Sequence, residues 1–207
     1  MALRDFFISL SENQTLSNAA GQYGLKLGAQ SVVAGTTIEE VIESIRKLNE
    51  QGISCTVDNL GEYVTDESEA TQAKEEILAM IEAIQVEELD AHISLKPSQL
   101  GLDIDIDFCY DNLYEIVERA HEYGIFVNFD MEDYKRLQPS FDILEELAKS
   151  FDNVGTVIQA YFHRAKDDIE NFKDYRLRVV KGAYKESEEV AYQDKLDIDI
   201  NFIELSE

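Results

Sequence analysis

Positive charge is scarce in this chain: 18 Lys and Arg stand against 43 Asp and Glu, for a net charge of −25. A surface of that sign repels phosphate backbones, which argues against generic nucleic-acid binding. It also disfavours broad docking on anionic lipid, leaving at most a local, peripheral membrane contact. The plain consequence of the acidity is solubility. Proline is nearly missing, with two residues, and regular apolar runs fill the chain, so disorder is not expected. No run approaches the ~18 apolar residues that a membrane span needs. The opening Met1-Ala2-Leu3-Arg4-Asp5-Phe6-Phe7 has one basic residue and too short an apolar stretch for a signal peptide. The two cysteines, Cys55 and Cys109, lie far apart with neither CxxC nor Cys/His ligand spacing, and read as reduced core thiols of a cytoplasmic protein. The three histidines, His92, His121 and His163, have no metal partner in sequence and read as structural or surface residues.

What the chain does have is an alternation of short β-like runs with longer helical ones. Ile38, Val41, Ile42, Ile45 and Leu48 make an apolar stripe that predicts a helix over 36–51, with Thr36 and Glu39 at capping-box spacing and Gly52 after its end. Strands are expected over 53–58, 91–96, 125–130, 156–160 and 177–181. Between them, helices are expected over 66–88, around Leu113, Ile116, Val117 and Ala120 up to Gly124, through Ile143, Leu144 and Leu147, and over 167–172. The stretch 186–207 also reads as helical. Such a βα repeat implies a parallel sheet with helical crossovers. No Gly-x-Gly-x-x-Gly follows the first strand, which weakens a dinucleotide-binding reading. Instead each strand ends on polar residues: Asp58, Lys96, Asp130, Gln159 and Lys181. In a (β/α) barrel that end carries the active site, although a solvated rim would account for some of them.

Each of these residues has a plain reading beside a chemical one. Lys96 in Ser94-Leu95-Lys96-Pro97-Ser98 is an anion anchor, a Schiff-base amine or a rim lysine. Asp130 in Phe129-Asp130-Met131-Glu132 is a proton acceptor, a partner for a substrate amine or a helix N-cap. Arg178 sits inside an apolar strand and needs a partner there, for a catalytic purpose or as a structural ion pair. Gly182-Ala183 leave room for backbone N–H groups to approach a phosphate or a flat ring.

Four segments, Ser94-Leu95-Lys96-Pro97-Ser98, Asp130-Met131-Glu132, Val157-Ile158-Gln159-Ala160-Tyr161 and Arg178-Val179-Val180-Lys181-Gly182-Ala183-Tyr184-Lys185-Glu186, resemble the successive strand-end motifs of proline dehydrogenases. They occur in that family's order, and Lys-Gly-Ala-Tyr is the most diagnostic. The resemblance implies an α/β fold of the parallel (β/α) barrel type, with residues 1–35 as a helical lead-in and 36–207 as a partial barrel. It also implies FAD-dependent oxidation of L-proline to Δ1-pyrroline-5-carboxylate, with electrons passed to a quinone. On that resemblance Lys96 holds the proline carboxylate, Asp130 stands by the ring nitrogen, and Tyr184 borders the pocket. Arg178 lies against the flavin, Gln159 and the backbone of Met131 bond it, and Lys181, Gly182 and Ala183 line it.

The departures are as informative. About five of eight βα units are present, and the residues after Gly52 are too few for the ~250 of a whole barrel. The family's later Thr-His-Asp-like motif and its arginine pair for the proline carboxylate are missing, as are the arginine and aromatic that relatives often carry near Ser31-Val32-Val33-Ala34-Gly35. The chain is therefore expected to be C-terminally truncated, with a non-catalytic fragment as the alternative. Apart from the resemblance, a Schiff-base lyase using Lys96 or Lys181 is the competing chemistry.

Overall fold

The computed structural model describes residues 33–207, so most of the lead-in assigned to 1–35 lies outside the described residues. Helix α1 (Ile38–Asn49) belongs to a compact unit ending at Gly52, and Ile53–Glu207 form a second. The cap of α1 is Thr37 rather than Thr36: Thr37 Oγ1 accepts from Glu40 N at 3.4 Å. The capping-box spacing thus recurs one residue later, and the Glu40 carboxylate turns back to Thr36 N at 2.8 Å.

The second unit runs β1 (Cys55–Asp58), α2 (Glu67–Val86), β2 (Ala91–Leu95), a 3-10 turn (Pro97–Leu100) and α3 (Ile106–Glu122). It continues with β3 (Val127–Phe129), α4 (Tyr134–Leu147), β4 (Val154–Gln159), α5 (Ala165–Phe172), β5 (Arg176–Val180) and α6 (Lys195–Ser206). The five strands pair in sequence order and all in parallel, as half of a (β/α) barrel. Each helical crossover returns the chain to the same end of the sheet, so every strand finishes on one rim.

The helices begin where side chains can satisfy their first N–H groups. Asp66 accepts from Ser68 N and Glu69 N, Asp105 from Asp107 N and Phe108 N, Asp133 from Arg136 N and Asp194 from Leu196 N. Their apolar stripes meet the sheet: Ile77, Ile81 and Ile84 of α2, Leu113, Ile116 and Val117 of α3, and Leu137, Phe141, Leu144 and Leu147 of α4 pack around Leu95, Phe129 and Ile158. Fully burying each such side chain stabilises the fold by about 1.5–3 kcal/mol.

The helix expected over 186–207 starts only at Lys195. Residues before it form a turn at Ser187–Val190, and Ala191 bridges Phe162. His163 N bonds the Val190 carbonyl at 3.0 Å and Tyr192 N bonds that of Tyr161 at 2.8 Å, so this backbone is already used by the β4–α5 loop. Both cysteines are buried thiols outside any disulfide; Cys109 Sγ lies 3.4 Å from the Pro97 carbonyl and helps seat the 3-10 turn.

Candidate functional site

Strand periodicity places the site. Side chains two apart share a face of a strand, and four strands, with the residue just after β2 and β3, carry polar pairs at that interval: Thr56 and Asp58, Ser94 and Lys96, Asn128 and Asp130, Arg176 and Arg178. The parallel register sets Asp58 beside Ser94 and Ser94 beside Asn128. A connected polar row therefore forms along the strand ends.

At its centre lies Asp130. Its Oδ1 accepts from Ser94 Oγ at 2.7 Å, Asn128 Nδ2 at 2.7 Å and Arg178 Nη2 at 2.5 Å. Asn128 also donates to Ser94 Oγ at 3.0 Å. Three donors hold one carboxylate oxygen, fixing the group's orientation. Lys96, next along the rim, donates to Asp58 Oδ2 at 3.1 Å. Burial pushes the Asp58 carboxyl above the ordinary aspartate range, with the Lys96 cation pulling the other way. Asp58 Oδ1 is buried with no hydrogen-bond partner among the described residues, which marks a polar position open to a further group.

Met131 and Gln159 are buried beside this row, and Gln159 Nε2 donates to the Glu132 carbonyl at 2.7 Å, tying β4 to the β3 loop. Glu132 is itself buried, 1% exposed, and accepts from Ser98 through both carboxylate oxygens. Burial raises its carboxyl from the ordinary value, with those bonds opposing.

The other wall comes from the segment after β5. Lys181 reaches Asp199 of α6 at 2.5 Å and is half-exposed, as is Arg178. Gly182 has φ +113°, and a Cβ there would lie 2.3 Å from the Tyr161 ring, so only glycine lets the chain pass that ring. Ala183 is exposed. Tyr184 donates to Glu62 Oε2 at 3.1 Å across the mouth. Burial and the Glu62 carboxylate raise its phenol, and the neighbouring Tyr63 phenol is pushed up to about 12 by the same two causes. Tyr63 adopts φ +58°, a left-handed conformation that costs a non-glycine residue of order 1–3 kcal/mol and collects at functional sites.

Lys96, Asp130, Met131, Gln159 and Arg178 are thus neighbours on one rim, and the segment Lys181–Tyr184 flanks them. Sequence reading did not assign roles to Asp58, Ser94, Asn128, Ser98, Glu132, Glu62 or Tyr63. Period-two polarity could have found Ser94 and Asn128, since each stands two residues before a strand-end charge. Of the histidines only His92 touches the row, pairing with Thr56 at 2.9 Å, whereas His163 Nε2 lies 3.0 Å from the Glu188 carbonyl and the His121 ring packs on Phe151. Among the described residues no group of three His, Cys, Asp or Glu could hold a metal ion.

The model of the family described as "Proline dehydrogenase" matches residues 41–202. The chain is 42% identical over 204 residues to Proline dehydrogenase 2 of Bacillus subtilis, covering 98% of this chain and 67% of that protein. It is 33% identical to Proline dehydrogenase of Deinococcus radiodurans, covering 96% and 66%. It thus spans about two thirds of the length of these curated relatives. Proline utilization A (PutA) from Bdellovibrio bacteriovorus, solved after inactivation by N-propargylglycine, has the same fold, with a TM-score of 0.80 over 92% of this chain and 25% of that one at 21% identity.

Proposed function

The chain belongs to the proline dehydrogenase family, and from that premise we propose that its strand ends form part of a site oxidising L-proline to Δ1-pyrroline-5-carboxylate with FAD. The observation that carries this is the Asp130 cluster, which gathers a fixed carboxylate, the Arg178 cation and the Lys96–Asp58 pair on one rim. The residues fit such a cofactor. In an acidic chain, three cations converge on this rim, and Arg178 and Lys181 keep about half their surface open to an anionic ligand. When bound, FAD supplies the two-electron acceptor.

Lys96 would hold the substrate carboxylate, its ammonium aimed by Asp58. Asp130 is clamped through Oδ1, so its other oxygen is the one to accept from the ring nitrogen of proline. Arg178 would stand where negative charge gathers on the reduced cofactor, a placement in which a fixed cation lowers the barrier. Gln159 and the Met131 backbone would bond the cofactor's edge, Lys181, Gly182 and Ala183 would line it, and Tyr184 would border the proline pocket. A quinone is the proposed electron acceptor, and the cytoplasm the proposed location, with at most peripheral contact at the inner membrane face. No helix among the described residues is long and apolar enough to cross a membrane.

Among the described residues β1 and β5 each pair on one side only. We therefore assign the activity to a completed barrel and expect the 207-residue chain alone to hold flavin weakly without turning over proline. The test is a chimera in which residues 1–207 are extended to the relatives' length by the remaining third of the Bacillus subtilis protein. It should show flavin absorbance that proline bleaches without oxygen and pass electrons to a dye. Arg178→Met in it should slow flavin reduction by the equivalent of about 2.7–4 kcal/mol. A colourless chimera that does not reduce dye with proline would sink the assignment.

A further inference from the structure

Glu132 is a buried carboxylate for which the proposed chemistry has no use. It touches none of Lys96, Asp58 or Arg178 by hydrogen bond; both its oxygens go to Ser98, Oε1 taking the backbone N–H at 3.0 Å and Oε2 taking the hydroxyl. Ser98 is fully buried too. A serine hydroxyl has one proton to give. With that proton committed to Glu132, the lone pairs of Ser98 Oγ are left for a donor, and the donor present is Tyr63 N at 2.9 Å. Val64 N adds a bond to the Ser98 carbonyl at 3.1 Å.

The segment 59–66, between β1 and α2, is thereby fastened to the turn after β2, and that turn to the loop after β3. The Glu132 carbonyl extends the chain of bonds to β4 through Gln159. Close packing supports the same attachment: a Cβ at Gly61 would lie 2.6 Å from Gln99 Nε2, and the Arg136 guanidinium stacks 4.3 Å from the Tyr63 ring centre while Asp103 and Asp133 hold it. The fastened segment presents Glu62, which accepts the Tyr184 hydroxyl from the far wall.

We propose that Glu132 is a positioning residue: acting through Ser98, it anchors the 59–66 segment so that Glu62 meets Tyr184 and the two walls of the mouth stay in register. The consequence for proline rests on the proposed function, in which Tyr184 borders the pocket; the anchoring itself does not.

The test uses the full 207-residue chain and amide hydrogen exchange read by NMR, with far-UV circular dichroism confirming that each variant folds. Glu132→Gln keeps the side chain's size but loses one of its two acceptor oxygens. Ser98→Ala removes the hydroxyl. Each should speed exchange at the Tyr63 amide by roughly tenfold, the equivalent of the one hydrogen bond that amide makes, while Val157 in β4 exchanges as before. The double variant should be no faster than Ser98→Ala, because the two residues act through one chain of bonds. The Tyr184 ring resonances should shift in both single variants, and Ser98→Ala is the decisive one, because it keeps the Glu132 charge that acts on that phenol through space. Unchanged Tyr63 exchange, additive effects in the double variant, or Tyr184 resonances that stay in place while Tyr63 is released would each overturn the proposal. None of these measurements needs flavin or proline, so failure here and failure of the proposed function are distinguishable.

Discussion

The centre of the sheet and its β5 end are built from similar apolar sequences and end up in different surroundings. Ile93, Leu95, Val127, Phe129, Val157 and Ile158 are buried, whereas β5, which reads Arg-Leu-Arg-Val-Val, has no buried residue, and neither has α6. The difference lies in neighbours: β2, β3 and β4 have a strand on each side and helices over them, and among the described residues β5 has one paired edge. Site residues at the centre are held by short bonds among buried and half-buried groups, as in Ser94–Asp130–Asn128 and Ser98–Glu132. Those at the β5 end are held by ion pairs open to water, as in Lys181–Asp199 and Lys195–Asp199. A site split this way is preorganised on one wall and adjustable on the other.

The sharpest way to break that comparison is to remove apolar volume from each side. Phe129→Ala should destabilise the chain by about 3–5 kcal/mol, and Ile203→Ala, on an exposed face of α6, by no more than about 0.5 kcal/mol. Urea midpoints would show it, and equal losses would mean that α6 is covered in solution. A smaller contrast is expected between the two cations. Lys96→Ala leaves a half-buried Asp58 carboxylate whose buried Oδ1 is already unpartnered, and should cost about 1.5–3 kcal/mol. Arg178→Met breaks a half-exposed pair and should cost under about 1 kcal/mol of stability, so its damage should fall on flavin reduction instead. In a flavin-loaded, completed barrel, Lys96→Ala should raise the proline KM and leave flavin content near normal.

The smallest effects are in pH, and they have opposite signs on the two sides. At the centre, burial raises the carboxyl of Glu132, so the folded state keeps a proton that the unfolded chain releases near its ordinary value. Stability from this group is greatest below that value and is lost as pH rises through the folded pKa. At the β5 end, hydrogen bonds from Lys181 and Lys195 hold Asp199 below the ordinary aspartate range. Its contribution is present above that range and is lost as pH falls through the folded pKa. Melting temperatures across pH should therefore fall less steeply on the alkaline side in Glu132→Gln, and less steeply on the acid side in Asp199→Asn. Parallel curves in both variants would remove the distinction.

By itself the sequence determined the alternation of elements, the polar strand ends and the helix faces, because each is written in local periodicity. Whether Ile77, Ile81 and Ile84 share a face depends only on the backbone geometry of α2, and whether Asn128 and Asp130 point the same way depends only on β3. The four motifs from Ser94 to Glu186 carry the family in the same way, as residue order. Only the tertiary structure decided what those residues meet. Ser98 and Glu132 stand 34 residues apart and Tyr184 and Glu62 stand 122 apart, joined by strand register and loop packing that no local pattern encodes. The same limit explains residues 186–194, whose composition suits a helix but whose backbone groups were taken by the β4–α5 loop. Periodicity fixes the direction of a side chain through its own backbone; partners, burial and titration depend on groups brought together by the fold.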